Sequence, residues 1–250
     1  MRNGKWKMIT RQRIDLLFGA GMTDYLRAHM VLLLLLLHSA GGAKASPQAG
    51  NQLNAICAGI DNSYDCAQAI ERHQLSKPEY TRLAVRARNG LRVRLRNGTW
   101  LTVEDSQKKG EEASVVKFSF RDYLRDIGYF LLHRQYYEGD DYLLIQDTTG
   151  NKFELQDLPV ISPDKRRLVT ASNGISGGYN ANGVQIWQLT KRGVVLEQSF
   201  ELKGWAPSDP VWTDNLEIHL LKTLPGSGGK ETVVLRFRGR WQIEALASPR

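Results

Sequence analysis

The sequence predicts a mainly β protein: propeller-like or open stacked antiparallel sheets with a short N-terminal helix, a β-sandwich being the alternative. Three observations predict it. From about residue 83 onward, apolar and polar residues alternate in short runs, the period of a strand with one buried face. About a dozen such runs are separated by turn residues at even spacing, as in sandwiches, barrels and propellers. Ahead of them, only one stretch carries a clear helical period.

Residues 1–45 read as an export signal that precedes the folded chain. Val31 to Leu37 is an unbroken apolar run, followed by His38-Ser39-Ala40-Gly41-Gly42 and by Ala43-Lys44-Ala45. That is the order of an h-region and an A-x-A cleavage site. The run is far short of the ~20 apolar residues that span a bilayer, so no stable membrane span is expected after cleavage. Arg2, Lys5, Lys7, Arg11, Arg13 and Arg27 make a long basic n-region, and a start at Met22 gives a conventional length. The mature chain is therefore expected in the periplasm or outside the cell.

Removing the leader changes the charge. The whole chain is +8, but residues 1–45 hold seven basic and two acidic residues, which leaves 27 basic and 24 acidic. A balance of +3 is a poor footprint for nucleic acid, which needs clustered positive charge; no nucleic-acid partner is expected. Cys57 and Cys66, in an exported chain, predict one disulfide across a turn-like string. They lack the C-x-x-C spacing of a redox or metal pair.

The mature chain divides by pattern into a disulfide-pinned helical segment, 46–80, and a β-rich domain, 81–250. Asn62 or Asp61 caps a helix to about Leu75, with Tyr64, Ala67 and Ile70 on one face. Ser76-Lys77-Pro78-Glu79 has the form of a capping box, yet Leu83, Val85 and Ala87 alternate, and the strand reading is preferred. Leu91 to Leu95 and Thr99 to Val103 flank Asn97-Gly98, a hairpin whose turn is expected to hold positive φ at both central residues. Strands follow at about 115–120, 128–137, 141–147, 152–155, 166–171, 183–189, 194–202, 215–222, 231–237 and 240–246.

Leu158 to Ser172 contains Pro159-Val160-Ile161-Ser162-Pro163-Asp164-Lys165-Arg166, and Val184-Gln185-Ile186-Trp187-Gln188-Leu189 follows. Together these resemble a β-propeller blade of the TolB or WD40-like kind, in which a Ser-Pro-Asp turn joins two strands. The resemblance covers about 158–189, with Lys165 where such blades carry Gly. A degenerate second copy over 205–218 aligns Pro210-Val211-Trp212 with Pro159-Val160-Ile161. The mature chain is also similar to uncharacterised exported bacterial proteins. That likeness rests on Cys66-Ala67-Gln68-Ala69-Ile70-Glu71, Tyr137-Glu138-Gly139, Thr149-Gly150 and Ser162-Pro163-Asp164. It implies a family and brings no activity with it.

Candidate chemistry is sparse. His73, His133 and His219 stand singly, without the spacing of a metal site. Glu138, Asp140 and Asp141 read as a hairpin turn rather than as a calcium loop, which needs 6–8 oxygen ligands. Ser176 lies between glycines in a loop, not at a strand-to-helix elbow. No metal or cofactor is expected. Loop 173–183 is the most function-like element, since long loops in compact domains are commonly functional, and Tyr179 is its candidate contact residue. Arg92, Arg94 and Arg96 alternate with apolar residues and are expected on one polar face, either solvated or a contact for an acidic partner. Trp187, Trp205 and Trp212 are expected to pack between sheets. The reading is a non-enzymatic binding or scaffold module of the bacterial envelope, for an unknown protein or envelope component. A hydrolase or accessory enzyme with dispersed site residues is the alternative.

Overall fold

In the computed structural model, residues 53, 55–108, 111–175, 180–226 and 229–245 are described; the leader, Ser176 and Tyr179 lie outside them. Among these residues a helix, α1 (Ser63–Leu75), precedes sixteen strands in four sheets. The first sheet holds β1 (Ala84–Ala87), β2 (Gly90–Arg94) and β3 (Trp100–Glu104). The second holds β4 (Ser106–Lys108), β5 (Glu111–Leu124), β6 (Tyr129–Tyr136), β7 (Asp140–Gln146) and β8 (Lys152–Leu155). The third holds β9 (Val160–Ile161), β10 (Arg167–Ser172), β11 (Gly183–Thr190) and β12 (Gly193–Glu201). The fourth holds β13 (Ala206–Trp212), β14 (Glu217–Thr223), β15 (Lys230–Phe237) and β16 (Trp241–Ala245). Within each sheet, strands pair antiparallel with their sequence neighbours. The chain is thus a succession of four meanders, and none closes into a barrel.

Three apolar clusters stack the sheets in chain order. Leu91, Val93 and Val103 of the first sheet meet Phe120, Phe130 and Leu132 of the second. Tyr129, Leu131 and Leu144 of the second meet Leu168 and Val194 of the third. Val169, Val184 and Ile186 of the third meet Trp212, Ile218 and Leu235 of the fourth. Position in the stack explains the strand patterns. Inner strands such as β6 are apolar on both faces, and Tyr129 to Leu132 are all buried. The outer strand β2 alternates, with Leu91 and Val93 inward and Arg92 and Arg94 outward, as for a sheet with one solvated face.

Asn62 caps α1 by accepting from the amides of Tyr64 and Asp65. The capping-box string makes turns instead of a second helix: Ser76 closes α1, its hydroxyl donating to the His73 carbonyl. The helix sits against the edge of β5 beyond the short strand β4, and side chains replace the missing strand there. Glu71 accepts from the Phe120 amide at 2.7 Å, Gln74 donates to the Arg121 carbonyl at 2.6 Å, and Asp105 accepts from the Phe118 amide at 2.9 Å. Glu71 is 2% exposed and accepts from the Nε and one terminal nitrogen of Arg86, whose other terminal nitrogen donates to Asp105 at 3.3 Å. Arg86 also donates to the Phe118 carbonyl. An edge that would leave buried backbone groups unpaired is thereby satisfied.

Three expectations are corrected in detail. The Asn97-Gly98 turn has positive φ only at Gly98; Arg96, Asn97 and Gly98 form a wider loop closed by the Leu95 amide on the Thr99 carbonyl. Arg96 therefore leaves the face shared by Arg92 and Arg94. Its guanidinium bonds Asp147, 2.9 Å away in the turn just after β7. Strands β4, β9 and β13 carry no alternation readable in sequence. In β13, Pro207 and Pro210 interrupt the pattern, and the strand survives as an edge, with its register shifted around Asp209 at φ 50°.

Candidate functional site

The end of the β6–β7 hairpin places two neighbouring carboxylates on opposite faces of the second sheet, because strand side chains alternate. Asp141 faces the first-sheet side. It takes both the Nε and a terminal nitrogen of Arg134, at 2.8 and 2.5 Å, and the Tyr136 hydroxyl at 3.0 Å. Arg134 also reaches Glu154 at 2.7 Å and lies 5.2 Å from the centre of the Tyr136 ring. Burial, with the charge of Asp141, lifts the Tyr136 phenol to about 12.

Asp140 faces the third-sheet side. It lies 2.6 Å from His133 Nε2 and accepts from the Asn180 side-chain amide at 3.0 Å. The hydrogen bond from His133 holds its carboxyl below the usual range, against burial. A carboxylate can only accept, so the Nε2 of His133 carries the proton. The ring itself is buried and stacked on Tyr142, centroids 4.8 Å apart. Burial pushes the Tyr142 phenol up to about 12, and burial also raises the nearby Asp157 carboxyl to about 6. These are the groups that convergent chemistry requires; the sequence marks the acidic pair and, standing singly, His133, but not Tyr142 or Asp157. The signal available was the fixed register, His133 opposite Tyr142 and Gln135 opposite Asp140.

An open cleft of about 430 Å³ lies at this end, lined by Tyr136, Tyr137, Glu138, Asp141, Gln156 and Asn180. Tyr137 is 61% exposed and Tyr136 39%. Asn180 and Ala181 bring the far end of loop 173–183 to the cleft. The loop is pinched at its neck: a Cβ on Gly174 would lie 1.9 Å from the Asn180 carbonyl oxygen, so only glycine fits. Asn182 anchors the same segment by donating to the Leu202 and Trp205 carbonyls at 2.7 and 3.0 Å.

No protein-family model matches the chain, and no curated protein matches it.

The remaining candidates fall elsewhere. Cys57 and Cys66 form the disulfide, Cα atoms 5.0 Å apart. Arg92 and Arg94 stand exposed on the outer face of the first sheet, Arg92 5.1 Å from the centre of the Trp100 ring. His219 pairs with Glu217 at 2.8 Å on the outer face of the fourth sheet, and His73 is exposed on α1. Trp212 packs on Trp241 and donates to the Val160 carbonyl at 2.9 Å; Trp187 and Trp205 are partly buried against the clusters. Among the described residues no helix is long and apolar enough to cross a membrane. Asp140 and Asp141 are each engaged by protein partners, on opposite faces.

Proposed function

We propose that the protein is an exported binding module of the bacterial envelope and that the cleft at the β6–β7 end is where it holds a protein or envelope component. The export signal read in residues 1–45 and the Cys57–Cys66 disulfide support the compartment. One observation carries the binding reading: Tyr136 and Tyr137 stand exposed in a cleft whose Asp140 and Asp141 carboxylates are fixed by Arg134, His133 and Asn180. Exposed aromatics beside satisfied polar groups are the anchors that interfaces use, and Tyr136 is seated by Asp141 and Arg134.

Affinity capture from envelope fractions tests the site. Tyr136→Ser/Tyr137→Ser is expected to lower the captured amount at least tenfold, while Arg92→Ala/Arg94→Ala leaves it within about twofold. Equal losses from both variants would remove the cleft from its assigned role. The hydrolase reading retains one observation in its favour, the His133–Asp140 pair. Turnover of an ester or peptide probe that His133→Gln abolishes would replace the binding reading with that one.

A further inference from the structure

Five of the described arginines are not exposed: Arg86, Arg121, Arg134, Arg167 and Arg236. Four of them hold carboxylates, on Glu71, Asp141, Glu197 and Glu217 respectively, each through two guanidinium nitrogens. Arg121 is the exception. No carboxylate pairs with it among the described residues, and its Nε is fully buried with no hydrogen-bond partner. A guanidinium nitrogen that has lost water without gaining a hydrogen-bond partner is costly.

Arg121 lines a recess of about 420 Å³ between the first half of α1 and the second sheet. Its walls are mainly apolar: Ala67 and Ile70, 3% and 4% exposed, and the Cys57–Cys66 bridge. Tyr142 and His133 form the sheet side, and Ser63, the first residue of α1, adds a hydroxyl and the positive end of the helix dipole. The neighbouring anion, Asp140, is already held by His133 and Asn180.

We propose that this recess binds a small organic carboxylate, its anion on Arg121 and its apolar body against Ala67, Ile70 and the disulfide. The planar guanidinium suits a carboxylate through two parallel hydrogen bonds, and the volume suits a body the size of an aromatic ring or a short acyl chain. The recess shares no lining residue with the Tyr136–Tyr137 cleft, although the His133–Asp140 pair joins the two, and its test does not depend on the function proposed above.

Fluorine NMR titration of the disulfide-bonded protein with 4-fluorobenzoate tests the assignment, with neutral 4-fluorobenzamide as the shape-matched control. Saturable benzoate binding is expected, weakened at least tenfold by Arg121→Gln and less by Arg121→Lys, which keeps charge but loses the fork. Benzamide should bind weakly and equally to all three. Because Arg121→Gln removes a half-buried guanidinium whose Nε has no partner, its melting temperature should equal or exceed that of the wild type, which keeps the variant folded for the test. Absence of saturable benzoate binding, or binding that Arg121→Gln leaves unchanged, would overturn the proposal.

Discussion

The third-sheet side of the β6–β7 ladder has two halves that differ in chemistry. In one half, Tyr129, Leu131 and Leu144 lie under the third sheet in a dry cluster. In the other, two to four residues further along the same strands, His133, Gln135, Asp140 and Tyr142 take their place. The strands do not change and neither does the alternation. What changes is the cover, a sheet over the first half and a helix edge with an open cleft and recess over the second. Dispersion and apolar burial hold the first half together. The second carries polar groups that cost free energy unless paired, and some are not: Gln135 is 7% exposed and its side-chain oxygen has no partner. A protein keeps such a region where something other than stability requires it.

Substitutions in the two halves should therefore have opposite signs. The largest effect is expected in the dry half. Leu144→Ala, at a position with no exposure, should lose about 3–4 kcal/mol in denaturant titration. A loss below about 1 kcal/mol would mean that the two halves are not packed differently.

In the polar half, Asp157 gives the next largest effect, and it depends on pH. Its folded carboxyl is raised to about 6, above its unfolded value of ~3.9. Between those values the folded state binds more protons than the unfolded, so stability falls as pH rises from about 4 to 6 and is level above that. Asp157→Asn retains an oxygen to accept from the Leu158 amide, as Asp157 does at 2.6 Å, and should remove this slope. At pH 7.5 it should be more stable than wild type by roughly 1–3 kcal/mol. Identical pH profiles for the two proteins would place the Asp157 carboxyl in water. Gln135→Met should be smaller, neutral or stabilising by about 1 kcal/mol, read from the thermal midpoint; a clear destabilisation would show that the amide is fully bonded.

The comparison also explains what could be read from sequence. Alternation identified the outer strand β2, and continuous apolar runs identified inner strands such as β6, because burial on one face or two leaves a direct trace in the residue pattern. It failed at β13, where two prolines and Asp209 break the period while backbone pairing to β14 persists. The Ser162-Pro163-Asp164 turn was legible for a local reason. The Ser162 hydroxyl donates to Asp164 at 2.7 Å and accepts from the Arg167 amide at 2.9 Å, so the residues that make the turn are adjacent in sequence. Lys165 sits in that turn at φ 59°, the left-handed region that favours glycine. Lys165→Gly is accordingly expected to stabilise by about 0.5–1 kcal/mol in thermal unfolding, the smallest effect considered, despite losing an exposed pair with Asp126. The site was much less legible. His133 meets Asp140 through the hairpin register, Asp140 meets Asn180 across forty residues, and Arg96 reaches Asp147 across fifty-one. The last two meetings depend on how the sheets stack, which no local spacing encodes.

The claim that the polar half opens onto a binding surface is tested most directly by hydrogen–deuterium exchange of the protein alone and bound to its captured envelope component. Slowed exchange confined to the Tyr136–Asp141 hairpin end and residues 180–182 is the expected result. Slowed exchange across β2 and β3, beneath Arg92, Arg94 and Trp100, with the hairpin end unchanged, would contradict it.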